Sequence, residues 1–406
     1  MVYKYPIIDV VRPATKTVGP LSTDISSRKE SSNAGSFDYK ARINQFLHDI
    51  GYRYEPTPSA DPEFLLLFHD WIITEVQPVS GLDEKRIAAI ENWASSVPVW
   101  CYPYADLEPT MLMSKLTALA LIIDDSLLND NAVHKHIALF THRLYMGEPQ
   151  PAGTILPLYE ECIRALSTFI GEDGVLRGMA VTPWITYMEA ASLEKRIQAF
   201  DEEVRASPFD AGTPVESLVS RRGQGGVGII KLGADAIAFP HFLREKTGVN
   251  ESYAAIIFKA SRKQELPLTR YIKAVPDISF TVAVVNDILS FHKEELQGET
   301  INLVHLLTQC LAPTQKLSGQ KWDVNDTLEL LCEQLKNAFL RIDSLLRLEE
   351  FDGVVTGDEG LNENADRIMD MQIAKQWRAW RDGYISWHLE SGRYQLDFLG
   401  YGCDSQ

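Results

Sequence analysis

An apolar run, ALALIIDD (118–125), stops abruptly on two adjacent aspartates. The wider stretch 110–129, TMLMSKLTALALIIDDSLLN, is apolar nearly all round, which predicts a central helix rather than a surface one. Charge at the end of such a helix requires an explanation, because an unpaired carboxylate in a core is costly. Two explanations stand side by side. The aspartates mark a helix end emerging into solvent, or they form a hard-cation site. Mg²⁺ takes carboxylate oxygens and keeps water ligands for a phosphate partner. Asp130 follows shortly after Asp124 and Asp125.

The rest of the chain repeats the helical period. In 38–50, Ile43, Phe46, Leu47 and Ile50 recur at spacings of three and four. Further helices are predicted at about 154–170, 176–204, 270–297, 324–349 and 364–396. Pro and Gly clusters punctuate them at 148–153 and 352–362, the latter reading as a disordered loop. Strand alternation is scarce and no internal repeat has a fixed period. The simplest architecture is a single all-α bundle over 37–400. A mobile N-terminal arm (1–36), rich in Ser, Thr, Pro and Gly, precedes it, and a short tail (401–406) follows.

A second polar cluster interrupts an apolar segment. FTVAVV (280–285) leads into NDILSFHKE (286–294). Asn286, Ser290 and Glu294 lie at i, i+4 and i+8, so on a helix they stack along one face. An amide oxygen, a hydroxyl and a carboxylate on one stripe can hold one Mg²⁺ together. A merely solvated stripe is the plain alternative, but Asn and Ser are mediocre residues inside a helix. Lys293 precedes Glu294 and is placed to reach an anion.

Bulk properties narrow the partners. The chain has 406 residues with a formal net charge of −17, which argues against nucleic acid or an anionic membrane. No run of about 18 apolar residues predicts a membrane span. The N-terminus lacks a basic stretch followed by an apolar one, so no secretory signal is expected. Five well-separated cysteines without CxxC spacing point away from a disulfide framework or a zinc site and toward a cytoplasmic protein. GQGGVG (223–228) follows no obvious strand and reads as a flexible joint rather than a phosphate loop.

DDSLLND (124–130), NDILSFHKE (286–294) and GYISWHLESGRY (383–394) together resemble the paired signature of class I terpene cyclases. They are most similar to the fungal trichodiene synthase group of sesquiterpene synthases. The resemblance runs from about residue 100 to 396 and is strong at the motifs. It implies an all-α class I terpenoid synthase bundle around a central active-site cavity. It implies that Asp124 ligates Mg²⁺, that Asn286, Ser290 and Glu294 hold a further Mg²⁺, and that three ions act in all. Asp125 would form a salt bridge on closure. Lys293, Arg393 and Tyr394 would contact diphosphate. Arg244, in FPHFLREKTG, precedes Asn286 by 42 residues and matches the family's diphosphate-sensing arginine; Arg221-Arg222 is the competing pair. Asp124, Arg244, Asn286 and Arg393 would carry the chemistry, with Tyr384 and Trp387 lining the cavity. Leu127-Leu128 stand where the family has polar residues, so Asp130 is displaced and is not expected to ligate.

The implied activity is cyclisation of farnesyl diphosphate by trichodiene-like 1,6-closure or humulene-like 1,11-closure. A homodimer is compatible with it. A linear isoprenyl diphosphate synthase would carry a second aspartate-rich motif where this chain has Asn, Ser and Glu. A non-catalytic all-α interaction protein would leave both polar clusters without a purpose.

Overall fold

The Leu107–Asp125 segment is a helix whose Leu112, Met113, Leu116, Ala118, Leu119, Ile122 and Ile123 are all buried. In the computed structural model, which describes residues 39–54, 58–125, 131–206, 232–263, 266–313, 319–351 and 365–401, it is one of the central elements. The chain order is α1 (Tyr39–Asp49), α2 (Pro62–Trp71), α3 (Glu84–Cys101), α4 (Leu107–Asp125), α5 (Asn131–Ala138), α6 (Phe140–Met146), α7 (Leu156–Ile170) and α8 (Gly174–Ala206). There follow α9 (Phe239–Thr247), α10 (Asn250–Ile256), α11 (Val275–Gln297), α12 (Leu303–Leu311), α13 (Val324–Leu345) and α14 (Ala365–Glu390). No strand occurs among the described residues. The described residues belong to one compact unit. The proposed arm (1–36), the 352–362 loop, the 223–228 glycine cluster, Arg221, Arg222, Asp130 and all but the first residue of the tail lie outside the described residues.

Local chemistry sets several helix ends. Asp61 and Asp83 accept backbone N–H bonds at the starts of α2 and α3, and Asn302 does so for α12. Asp323 and Asp326 form a reciprocal capping box on α13. Gly298, at φ 71°, stops α11 in a left-handed conformation that costs glycine nothing.

Some observed bounds differ from the periodic pattern. The segment expected at 270–297 is a short turn, Leu268–Tyr271, followed by α11 from Val275. Pro276 lacks an N–H and restricts the residue before it, so the helix restarts there. The segment expected to reach 349 ends at Leu345, because Arg347 takes φ 56° and a 3₁₀ turn follows. The segment expected to reach 396 ends at Glu390, which leaves Arg393 and Tyr394 in the turn beyond it.

Two contacts frame the centre. α4 packs against α3 and α7, while α11 packs against α10, α13 and α14. α14 crosses α3 so closely that a Cβ on Gly383 would come within 1.9 Å of the Trp100 carbonyl oxygen. Only glycine permits that approach. The crossing brings the Tyr384–Tyr394 segment over α11.

Candidate active site

One face of α4 carries Thr117, Ala120, Leu121 and Asp124 into a cavity of about 240 Å³. The spacing of three and four residues puts them on one stripe. From α11 the same cavity receives Asn286, Asp287, Ser290, Lys293 and Glu294. α9 adds Leu243 and Arg244, α14 adds Tyr384 and Trp387, and the turn beyond α14 adds Arg393 and Tyr394. The polar residues that the sequence singled out therefore meet at one place. The exceptions are Asp125, whose side chain is not among the described ones, and Asp130, Arg221 and Arg222, which lie outside the described residues.

Arg244 is the hub. Its Nε donates to Asp287 Oδ2 at 2.8 Å, and its Nη2 donates to Asn286 Oδ1 at 2.8 Å and to the Ala283 carbonyl at 3.3 Å. Burial acts to lower the arginine, but the Asp287 carboxylate outweighs it and keeps the guanidinium firmly charged. Asn286 Nδ2 sits 3.1 Å from His388 Nε2 and donates to the Tyr394 hydroxyl at 3.2 Å. Burial pushes His388 down to about 3, so its ring is neutral.

A turn further along α11, Ser290 Oγ donates to Glu294 Oε1 at 2.5 Å. Glu294 Oε2 is buried without a hydrogen-bond partner. Burial pushes this acid up to about 7. A buried carboxylate with an orphaned oxygen, next to a hydroxyl and an amide oxygen on one helix face, fits a divalent cation that would supply the missing charge. Among the described residues no group of three or more His, Cys, Asp or Glu is placed to hold a metal ion, and the candidate donors on this face are the side-chain oxygens of Asn286, Ser290 and Glu294. Lys293 Nζ lies 3.6 Å from Glu299 Oε1.

At the rim, Arg393 Nη2 donates to Asp124 Oδ2 at 3.2 Å, and its guanidinium lies 5.5 Å from the Trp93 ring centre. The wall below is aromatic and aliphatic: Tyr187, Tyr253, Tyr384, Trp387, Val97, Leu243 and Leu306. The tyrosine hydroxyls are tied back. Tyr187 donates to the Ala120 carbonyl at 3.1 Å, Tyr384 to the Val282 carbonyl at 3.0 Å, and Tyr253 pairs with Thr117 Oγ1 at 2.9 Å. All three therefore line the cavity with their hydroxyls already engaged by the protein. A further acid, the half-buried Glu194 on α8, also lines it. Burial and the nearby Asp124 charge push Glu194 up to about 8, against the pull of Arg244. Glu194, on α8, and Glu299, just beyond the end of α11, carried no sequence signal, and the orienting contacts of Asp287 and His388 could not be read from the motifs that contain them.

No family model matches the chain. Terpene synthase BipA of Cochliobolus sativus is 24% identical over 87% of this chain and 88% of its own. Longiborneol synthase CLM1 of Gibberella zeae is 27% identical over 74% and 70%. (E)-beta farnesene synthase of Metarhizium brunneum is 24% identical over 78% and 76%. Among solved structures, linalool/nerolidol synthase from Streptomyces clavuligerus, in complex with 2-fluorogeranyl diphosphate, superposes with a TM-score of 0.53 at 18% identity, covering 84% of this chain and all of that one. Germacradien-4-ol synthase from Streptomyces citricolor superposes at 0.51 and 16% identity, over 84% and 98%.

The fold is that of the class I terpene synthases. Within this terpene synthase fold the cavity lies between α4 and α11, the two helices that carry the acidic and the Asn/Ser/Glu clusters. The curated relatives named above are fungal terpene synthases. No helix among the described residues is long and apolar enough to cross a membrane. The four described cysteines are buried thiols.

Proposed function

We propose that this chain is a Mg²⁺-dependent sesquiterpene cyclase that converts farnesyl diphosphate into a cyclic sesquiterpene, in the manner of the trichodiene synthase group. One observation carries the proposal. Asp124, Arg244, Asn286, Ser290, Lys293, Glu294, Arg393 and Tyr394 converge on a single cavity that is also lined by the apolar and aromatic side chains of Val97, Leu121, Tyr187, Leu243, Tyr253, Leu306 and Trp387. A polar rim over an apolar chamber suits a substrate with an anionic head and a hydrocarbon tail. The relatives act in the same chemical class by name, and the structure holding a geranyl diphosphate analogue supports a prenyl diphosphate as ligand.

Asp124 would hold Mg²⁺ from the α4 side, and Asn286, Ser290 and Glu294 from the α11 side, with three ions expected. Bound there, Mg²⁺ supplies the charge neutralisation that lets diphosphate leave. Arg244, Lys293, Arg393 and Tyr394 bind the diphosphate oxygens through N–H and O–H donors and fix its orientation. Asp125 pairs with an arginine as the mouth closes. Departure of diphosphate breaks the allylic C–O bond and leaves an allylic cation in the chamber. The ring faces of Tyr187, Tyr253, Tyr384 and Trp387 stabilise that cation and exclude water. Because the three tyrosine hydroxyls are held by protein partners, they are not poised to intercept it. The wall's shape folds the chain so that a distal double bond attacks C1, by 1,6- or 1,11-closure. The released diphosphate takes the final proton.

The test is direct. The purified protein with farnesyl diphosphate and Mg²⁺ should yield a cyclic hydrocarbon or terpene alcohol in a hexane extract analysed by gas chromatography–mass spectrometry. A longer prenyl diphosphate would instead show elongation, and absence of any product would remove the cyclase proposal.

A further inference from the structure

We propose that His388 is a positioning residue that fixes which way the Asn286 side-chain amide faces. The inference rests on the proposed function only in the role it gives Asn286. The orientation itself follows from hydrogen-bond chemistry. His388 Nδ1 lies 2.8 Å from the Tyr384 carbonyl oxygen, one turn earlier on α14. A carbonyl only accepts, so Nδ1 carries the ring proton. In a neutral imidazole that leaves Nε2 as a bare lone pair. Nε2 faces the Asn286 amide at 3.1 Å, and a lone pair there requires the amide's NH₂ end. The second amide N–H points at the Tyr394 hydroxyl.

With its NH₂ group held on that side, the amide must present Oδ1 on the other. There it accepts from Arg244 Nη2 at 2.8 Å. Flipping the amide would set a carbonyl oxygen against the His388 lone pair and N–H groups against the guanidinium. The ring itself has no room to turn. It is fully buried, with the Tyr384 ring 4.5 Å away edge-on, the Trp387 ring at 4.7 Å edge-on and the Tyr394 ring at 4.5 Å.

The consequence concerns the moment Arg244 turns to an anion. Asn286 Oδ1 then loses its donor and becomes available to a cation, while nothing on the arginine side any longer holds the amide. His388 still does. Groups that orient a metal ligand from behind typically change metal affinity by 10–100-fold when removed.

The test uses the full chain and two readouts. Histidine-selective ¹⁵N–¹H correlation spectra of the wild type should show His388, assigned by the signal missing from His388→Gln, as the Nδ1–H tautomer. An Nε2–H tautomer or an imidazolium at neutral pH would overturn the proposal. Calorimetric titration of Mg²⁺ in the presence of inorganic pyrophosphate should show His388→Phe, which keeps an aromatic ring but offers no acceptor, binding Mg²⁺ roughly 10–100-fold more weakly than wild type. His388→Gln can place an amide oxygen against Asn286 and should recover most of that loss. Wild-type Mg²⁺ affinity in folded His388→Phe, or no recovery in His388→Gln, would count against the proposal. If His388→Phe does not fold, the tautomer and His388→Gln still decide. If the wild type itself shows no Mg²⁺-dependent pyrophosphate binding, the proposed function falls, and the tautomer measurement tests the positioning separately.

Discussion

Asp124 and Arg393, 269 residues apart in the chain, form an ion pair at the rim of the cavity, Oδ2 to Nη2 at 3.2 Å. The aspartate side chain is 53% exposed and the arginine 8%, so the pair closes α4 onto the turn beyond α14 from the solvent side. An ion pair with one half-exposed partner contributes about 0–1 kcal/mol to stability. Asp124→Ala should therefore leave the melting temperature nearly unchanged while lowering turnover of farnesyl diphosphate by a factor of 100 or more, on the order of the loss of one electrostatic stabiliser. Calorimetry on the variant beside a product assay separates the two. Full activity would remove Asp124 from the metal site.

Arg244 and Asp287 are a different kind of pair, because both are shielded. Removing one partner strands a buried charge. Arg244→Ala is expected to cost roughly 3–5 kcal/mol in urea unfolding. Arg244→Leu combined with Asp287→Leu should be much closer to wild type in stability and still inactive. Equal losses of stability in the single and double variants would show that packing, not the unpaired carboxylate, dominates.

Two acids of the cavity, Glu294 and Glu194, set a pH dependence. Glu294 is pushed up to about 7 and Glu194 to about 8, from an ordinary 4.5. The folded state therefore binds protons that the unfolded chain has released. Their contribution is fully present below about 4.5 and is lost as pH rises through about 7 and then about 8. The metal-free protein should melt at a lower temperature at pH 8.5 than at pH 6, and Glu194→Gln should reduce that difference. A melting temperature flat across this window would contradict the burial of these acids. Mg²⁺ binding has the opposite sign, since Glu294 must lose its proton to ligate, so affinity should rise through about pH 7.

The crossing of α14 over α3 predicts a purely structural effect. Gly383→Ala would push a methyl group to 1.9 Å from the Trp100 carbonyl oxygen. The helices must part, at a cost of about 1–3 kcal/mol or more. Guanidinium unfolding measures this, and a loss below about 0.5 kcal/mol would mean that the crossing relaxes freely.

How much the sequence disclosed depended on periodicity. α1, α4, α7, α8, α11, α13 and α14 are long or strongly amphipathic, and their apolar spacing announced them. α3 carries Pro98 inside it and α9 and α10 are short, separated by Gly248 and the positive φ of Val249, so no sustained period marked them. At the site, Asn286, Ser290 and Glu294 were visible because a four-residue repeat maps onto one helix face whatever surrounds it. Tyr384 and Trp387 needed the motif around them to be noticed. Glu194 had no such help: an acid in YMEAASLEKR is an ordinary solvated residue until α8 is packed against the cavity. His388 lies in the same motif as Tyr384 and Trp387, but its contact with Asn286 spans 102 positions and exists only in the folded chain.

Arg244 and a cation would compete for one atom, the Asn286 amide oxygen. For the proposed enzyme this works as a coincidence detector. A metal ion arriving alone would meet an amide oxygen already engaged by a guanidinium, and an anion arriving alone would meet a guanidinium already engaged by Asp287 and Asn286. With both present, an anion that drew the guanidinium away would leave the Asn286 oxygen free to serve as a ligand. Each arrival would then raise the affinity for the other by the same factor.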